Sequence, residues 1–308
     1  MGQQLASSVL MVRPTSFRYN EETAVNNYFQ KESNALNDAI ILQNAQREFD
    51  EFVAILKSNH IHVVVVNGLK ENDTPDALFP NNWISFHEKG KAIIYPMFAQ
   101  NRRREKRSDI FDILNQNGFK YSVLKDYSSF EKKNQFLEGT GSMVLDRTNK
   151  IAYCSISERA NEALFLKFCK NHSFTPMVFS GIQKVNSNWM PIYHTNVLMG
   201  ISNQFVVICL DAIQDKSEKT ALLNEFQRTN KEVIPISIEQ MNSFAGNMLG
   251  LKSTKGDELL VLSKSAFESL NSSQVTKLEH YANLVVADLN TIETFGGGSA
   301  RCMLAELF

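Results

Sequence analysis

The residues best able to carry chemistry in this 308-residue sequence begin with a cysteine behind a run of glycines: Phe295-Gly296-Gly297-Gly298-Ser299-Ala300-Arg301-Cys302-Met303. Three consecutive glycines cost conformational entropy, so they are expected where the backbone turns sharply or approaches a ligand closely. A cysteine directly after such a loop can be held at the mouth of a pocket, where its thiolate is a nucleophile. Cysteine is equally at home as a small buried hydrophobe, and Cys154, Cys169 and Cys209, set inside apolar strand or helix patterns, read that way. His194, in Trp189-Met190-Pro191-Ile192-Tyr193-His194-Thr195-Asn196, precedes an apolar run; a histidine there either caps a turn or serves as acid and base. Glu138 sits between an apolar pair and a glycine-rich turn, in Phe136-Leu137-Glu138-Gly139-Thr140-Gly141-Ser142. Asp76, in Pro75-Asp76-Ala77-Leu78-Phe79-Pro80-Asn81-Asn82-Trp83, is by position a turn residue after proline. A basic run, Arg102-Arg103-Arg104-Glu105-Lys106-Arg107, and Arg159 in Ser157-Glu158-Arg159-Ala160-Asn161 both read as solvated helix starts.

The elements that must position these residues alternate in type. Strands are expected at Ser8–Arg13, His62–Asn67, Lys91–Tyr95, Ser142–Asp146, Lys150–Cys154, Asn196–Gly200, Phe205–Leu210, Glu232–Ile236, Glu258–Leu262 and Leu284–Ala287, all rich in Val and Ile or bounded by turn residues. Helices are expected at Asp38–Ser58, Arg103–Asn117, Arg159–Asn171, Lys216–Asn230 and Lys264–Ala282. In the first of these, Ile40, Ile41, Ala45, Phe49, Phe52, Val53 and Leu56 fall on one face at helical spacing. Five helices separated by groups of strands give a rhythm of about 60 residues, of elements rather than of residue types. No Pro- or Ser-rich linker divides the chain, so residues 1–308 read as a single α/β domain whose units bury their sheets against one another.

Composition narrows the function classes. Hydrophobic residues make up 43% and charged residues 21%, the balance of a globular protein, and the formal net charge of −1 gives no long-range field for nucleic acid or an anionic membrane. The first residues lack a basic-then-apolar leader pattern, Ala6 stands where a myristoylation motif needs Ser or Thr, and no apolar run reaches the ~18 residues of a membrane span. The four cysteines have no paired spacing, which argues against a disulfide framework or a zinc site. A cytoplasmic address is the expectation that follows.

Taken together, these motifs resemble the guanidino-group-modifying superfamily of arginine deiminases, dimethylarginine dimethylaminohydrolases and amidinotransferases. A Pro-Asp segment, a Glu-Gly segment, a His before an apolar run and a Gly-Gly-Gly…Arg-Cys terminus occur in that superfamily's order. The phrases Leu137-Glu138-Gly139-Thr140-Gly141-Ser142 and Met97-Phe98-Ala99-Gln100-Asn101-Arg102-Arg103 look closest to its citrulline-hydrolase branch. The resemblance implies a five-unit pseudo-symmetric α/β propeller, the pentein fold, with the active site in the central channel. It also implies roles: Cys302 as nucleophile on the central carbon of a guanidinium or ureido group, His194 as its acid and base, and Glu138 as acceptor for substrate N–H groups and orienter of His194. Asp76 would bind the substrate, Arg159 would match the arginine that grips its carboxylate, and Arg103 falls in a similar position in the basic run. No metal or organic cofactor is implied; the partner is a small ureido or guanidino amino acid, with no nucleic acid or membrane, and homo-oligomerisation is left open.

Two departures shape the substrate expectation. Related deiminases and dimethylaminohydrolases carry a carboxylate six residues after the position of Asp76, where this chain has Asn82; arginine deiminases carry Asp two residues after the catalytic His, where it has Asn196. A guanidinium offers only N–H donors and a positive charge, which suit carboxylates. A ureido group is neutral and has a carbonyl oxygen that an amide N–H can satisfy, and leaving such a buried acceptor unpaired costs ~1–3 kcal/mol. The amides therefore favour a ureido substrate, with citrulline first. The alternatives are a guanidinium substrate (arginine or a methylated arginine) and a non-catalytic propeller that binds a macromolecule, which the presence of both Cys302 and His194 disfavours.

Overall fold

Short Val- and Ile-rich runs pair in one pattern five times over. The computed structural model describes residues 2–32 and 36–308. In it β1 (Ser8–Arg13) and β2 (His62–Asn67) pair in parallel, joined through the helix Asp38–Ser58. β3 (Ile84–His87) is antiparallel to β4 (Lys91–Ile94), which is parallel to β5 (Ser122–Asp126). β6 (Val144–Asp146), β7 (Ile151–Ser155) and β8 (Thr175–Phe179) repeat that arrangement. A separate hairpin, β9 (Ile182–Val185) and β10 (Asn188–Pro191), leads into the His194 segment. The pattern then recurs in β11 (Met199–Ile201), β12 (Phe205–Ile208) and β13 (Glu232–Pro235), and in β14 (Leu249–Lys252), β15 (Glu258–Ser263) and β16 (Asn283–Ala287). The last strand, β17 (Ala305–Leu307), returns antiparallel to β1 and gives the first sheet its third member.

Each sheet thus has one antiparallel and one parallel neighbour, and each parallel partner is reached through helical chain, as a parallel crossover requires. The sheets touch in sequence: β17 lies against β3, the turn Gly139–Ser142 before β6 against β3, β6 against β11, and β11 against β14. Ala6, just before β1, bridges Leu251 in β14. The fold is mixed α/β, and no helix among the described residues is long and apolar enough to cross a membrane.

The expected helix Asp38–Ser58 forms with those bounds because Asn37 caps it, its side chain accepting from the Ile40 N–H, and because Ile41, Ala45, Phe49, Phe52 and Leu56 bury one face. Ile40 instead turns outward and is 41% exposed. Other expectations are corrected. The helix expected at Arg103–Asn117 is two pieces, Gln100–Arg103 and Ile110–Gln116. The one expected at Lys264–Ala282 breaks after Ser269, where Asn271 starts a second helix, Ser272–Tyr281, in a reciprocal cap with Gln274. The strands expected from Ser142 and Asn196 begin only at Val144 and Met199, because their first residues coil into helical turns, Gly139–Ser142 and Thr195–Leu198. β3, β5, β8, β14 and β17 carry too few residues or too little alternation to be read from sequence.

Candidate active site

Those short turns are what the site is built on. A helical turn precedes the first strand of four sheets: Pro80–Asn82 before β3, Gly139–Ser142 before β6, Thr195–Leu198 before β11 and Ala300–Met303 before β17. Asn82 and Cys302 lie within such turns, whereas Glu138 and His194 occupy the N-cap positions of theirs. Asp76, Asn82, Arg102, Arg159, Tyr193, His194 and Cys302 line one cavity with about 10 Å³ of free volume, closed by Asn27, Phe79, Gly296 and Gly298.

Glu138 is wholly buried and holds His194, Oε2 lying 2.7 Å from Nε2. Its other oxygen, Oε1, accepts the Phe98 N–H at 2.9 Å. Burial opposes its charge, but Arg159 at 3.6 Å, the His194 hydrogen bond and Arg102 at 3.9 Å outweigh it, and the carboxyl is held down at about 2. Burial lowers His194 to about 4 against the pull of Glu138, with Arg159 and Arg102 adding to the lowering. At neutral pH the pair is therefore carboxylate and neutral imidazole. A carboxylate only accepts, so Nε2 carries the proton and Nδ1 keeps a lone pair free to take one.

Cys302 is buried, and two amides face its sulfur: Asn247 Nδ2 at 3.2 Å and Asn196 Nδ2 at 3.5 Å. Asn247 Nδ2 also donates to the Asn196 backbone carbonyl at 2.9 Å, which ties the Asn247 amide to the main chain of that turn. Among the other three cysteines, burial pushes Cys209 up to about 11, Cys169 up to about 12 and Cys154 higher still.

Asp76 is buried rather than exposed on a turn. Its Oδ2 accepts from Asn20 Nδ2 at 2.8 Å and Thr23 Oγ1 at 3.1 Å, while Oδ1 has no partner among the described residues. A buried acceptor without a donor is costly and invites a substrate N–H. Asn82 Oδ1 accepts from Arg102 Nη1 at 2.8 Å, and since arginine can only donate, the orientation of the amide is set: Nδ2 is the end left to act as donor. Nδ2 spends one hydrogen on Asn81 Oδ1 at 3.1 Å and keeps one. Arg102 itself is clamped by Glu105 through both carboxylate oxygens, at 2.9 and 3.0 Å.

Arg159 is buried in the cavity wall, 3.6 Å from Glu138 and 5.0 Å over the Tyr193 ring. Its Nε donates to Asn26 Oδ1 and its Nη2 to the Thr23 carbonyl, both at 2.7 Å, so residues 20–31 roof the site through this arginine. Arg103 lies outside the cavity lining: it donates to the Met97 and Phe98 carbonyls, each at 3.0 Å, and packs over Phe136. The basic run thus presents Arg102 to the cavity where the sequence pointed to Arg103, one residue on. Asn196 faces the sulfur.

Arg102, Asn247 and the roof residues Asn20, Thr23 and Asn26 were not legible from residue types. A signal for Asn247 existed: Asn247-Met248-Leu249 echoes Asn196-Val197-Leu198 and Cys302-Met303-Leu304, each entering the first strand of a sheet. Gly141 matters by what it lacks, because a Cβ there would stand 2.4 Å from Asn82 Nδ2 and 2.8 Å from His194 Nδ1.

Comparison with known proteins places the chain in a family and matches its fold. The family model described as N,N dimethylarginine dimethylhydrolase, eukaryotic, matches residues 13–308. No curated protein matches the chain. Among solved structures, apo ArgZ, an arginine dihydrolase from the ornithine–ammonia cycle in cyanobacteria, superposes with a TM-score of 0.73 at 14% identity, over 97% of this chain and 40% of that one. Unliganded AgrE gives 0.72 at 16% identity, over 97% and 39%. The chain therefore spans about two-fifths of the length of those two proteins. A dimethylarginine dimethylaminohydrolase with an S-methyl-L-thiocitrulline adduct gives 0.62 at 13% identity, over 98% and 100%. At these identities the likeness is one of fold.

Proposed function

The chain belongs to the N,N dimethylarginine dimethylhydrolase family, and from that premise we propose that it is a cysteine hydrolase of the ureido group of citrulline, yielding ornithine, ammonia and carbon dioxide. The observation that carries the substrate choice is the Asn82 amide, turned by Arg102 so that an N–H remains to meet a ureido oxygen.

His194 Nδ1 takes the Cys302 proton as the sulfur attacks the ureido carbon, the Asn196 and Asn247 amides holding the forming thiolate. Asp76 Oδ1 and Glu138 accept the substrate N–H groups. His194 then returns the proton to the departing amine nitrogen, leaving S-carbamoyl Cys302 and ornithine. Water, deprotonated by His194, attacks the carbamoyl carbon; the C–S bond breaks, the proton returns from His194 to the Cys302 sulfur, and the carbamic acid released decomposes to ammonia and carbon dioxide. Arg159 pairs with the substrate carboxylate once the roof of residues 20–31 lifts. Five sheets of one topology, touching in sequence around to the Ala6–Leu251 bridge, support a single-domain, five-unit propeller with this site in its channel.

A second reading, hydrolysis of a guanidinium as the family's name implies, is favoured by the unpaired Asp76 Oδ1. Competing citrulline against arginine and dimethylarginine for purified protein decides between them. The ureido reading expects citrulline to win by about 10⁴-fold in kcat/KM, the discrimination a site gains when the wrong ligand leaves its buried polar groups unpaired. Cys302→Ser should abolish turnover of whichever substrate wins. A better kcat/KM for arginine would overturn the ureido reading.

A further inference from the structure

A roomier cavity, of about 300 Å³, shares no lining residue with the catalytic one. The turn of the β3–β4 hairpin brings Lys89 to it, β4 brings Lys91, and the β6–β7 turn brings Arg147 and Lys150. We propose that this cavity binds a phosphate-bearing small molecule.

Four cationic side chains line it against one carboxylate side chain, Glu88, whose Oε1 is occupied by the Gln3 backbone N–H at 2.7 Å, while the Phe308 main-chain oxygen is held by the Tyr121 hydroxyl at 2.6 Å. Among the described residues Lys89, Lys91 and Lys150 have no ion-pair partner. Arg147 has only Glu306, 3.6 Å away, and Arg301 holds that same oxygen more closely at 3.0 Å. One carboxylate between two arginines leaves a net positive charge. Like charges gathered in a concavity repel one another and concentrate the field on an incoming anion.

The neighbouring groups do not relieve this charge. His87 Nδ1 lies 3.3 Å from Arg147 Nη1, a donor, so the imidazole accepts there and is neutral, and its Nε2 meets Ser85 Oγ at 2.8 Å. Lys89 is held in the left-handed region (φ 61°) beside Gly90 (φ 64°), which fixes the tight hairpin turn that presents it. The walls add flat apolar surface: the Phe308 ring lies 4.3 Å from the Arg147 guanidinium carbon, and the Phe174 ring 5.1 Å from Lys150 Nζ. Arginine and lysines for phosphate oxygens, with rings beside them for an organic body, suit a ligand at the small end of the usual range of pocket volumes.

Isothermal titration with ADP and with pyrophosphate tests this. At least one of the two probes should bind saturably at one site per chain and more weakly as salt is raised. Lys89→Gln/Lys150→Gln should weaken that binding by about tenfold with an unchanged melting temperature, since both lysines are exposed and have no ion-pair partner among the described residues. Absence of saturable binding by both probes, or equal affinity in the double variant, overturns the proposal.

Discussion

At the scale of single residues, the Glu138–His194 pair ties the catalytic proposal to a measurable pH response. Burial holds His194 at about 4, below the ~6.5 of a free imidazole. Between those values the unfolded chain binds a proton that the folded chain refuses, so stability from this group is complete above about 6.5 and is lost as pH falls toward 4. Glu138, held near 2 against a free value of 4.5, acts in the same direction but lower, losing its contribution between those values. Burial also lowers His87 and His172, which act with His194, and pushes Glu105 up to about 7, which acts against them, so the comparison with a His194 variant isolates this group. The expected result is a melting temperature that falls from pH 6.5 to 4 in the wild type, and falls less steeply in His194→Asn. Equal slopes in the two proteins would mean that His194 titrates normally and that its environment has been misread.

At the scale of elements, function rests on turns too short to be read as elements. The helix Asp38–Ser58 was legible to its ends because 21 residues supply both a cap and a repeated apolar face. Gly139–Ser142 and Thr195–Leu198 have four residues each; the first reads as a glycine-rich turn whose last residue opens a strand, and Asn196–Leu198 reads as the start of one. Cys302, His194 and Glu138 stood out by residue type and neighbours, whereas Asn247 and Arg102 act through an amide and a guanidinium that any surface could carry. Gly141 is where such a turn can be tested. A methyl group there would stand 2.4 Å from Asn82 Nδ2, so Gly141→Ala must push apart the amide and the imidazole. Overpacking of this kind costs ~1–3 kcal/mol, whereas misplacing a reacting group by about 1 Å costs ~10²-fold in rate. Gly141→Ala should accordingly lower kcat by about 10²-fold while the protein still melts cooperatively, a few degrees below wild type. Undiminished kcat would show that Asn82 and His194 need not approach each other across Gly141.

At the scale of the whole molecule, the sheets share no strand, and buried ion pairs help to join them. Lys231, entering β13, reaches Asp146 at the end of β6 at 3.2 Å, with both side chains at most 1% exposed. Its Nζ also donates to the Ser202 and Asn203 carbonyls, at 3.0 and 2.9 Å, so this one ammonium ties the third sheet to the fourth. By contrast Lys264 and Asp288, 3.5 Å apart, are both more than half exposed, and such a pair contributes ~0–1 kcal/mol. Lys231→Met strands a buried carboxylate and two carbonyls, a loss of ~3–5 kcal/mol. Lys264→Met should leave the melting temperature almost where it was. The double variant Asp146→Leu/Lys231→Met distinguishes a need for charge from a need for filled space. Replacing a buried pair by apolar groups of similar volume is often close to neutral, so the double variant should recover most of what Lys231→Met loses. Two carbonyls still lack their donor in it, which keeps the recovery short of complete. If thermal melts place Lys231→Met beside Lys264→Met, the other contacts between these sheets suffice and the ion pair adds nothing to the joint.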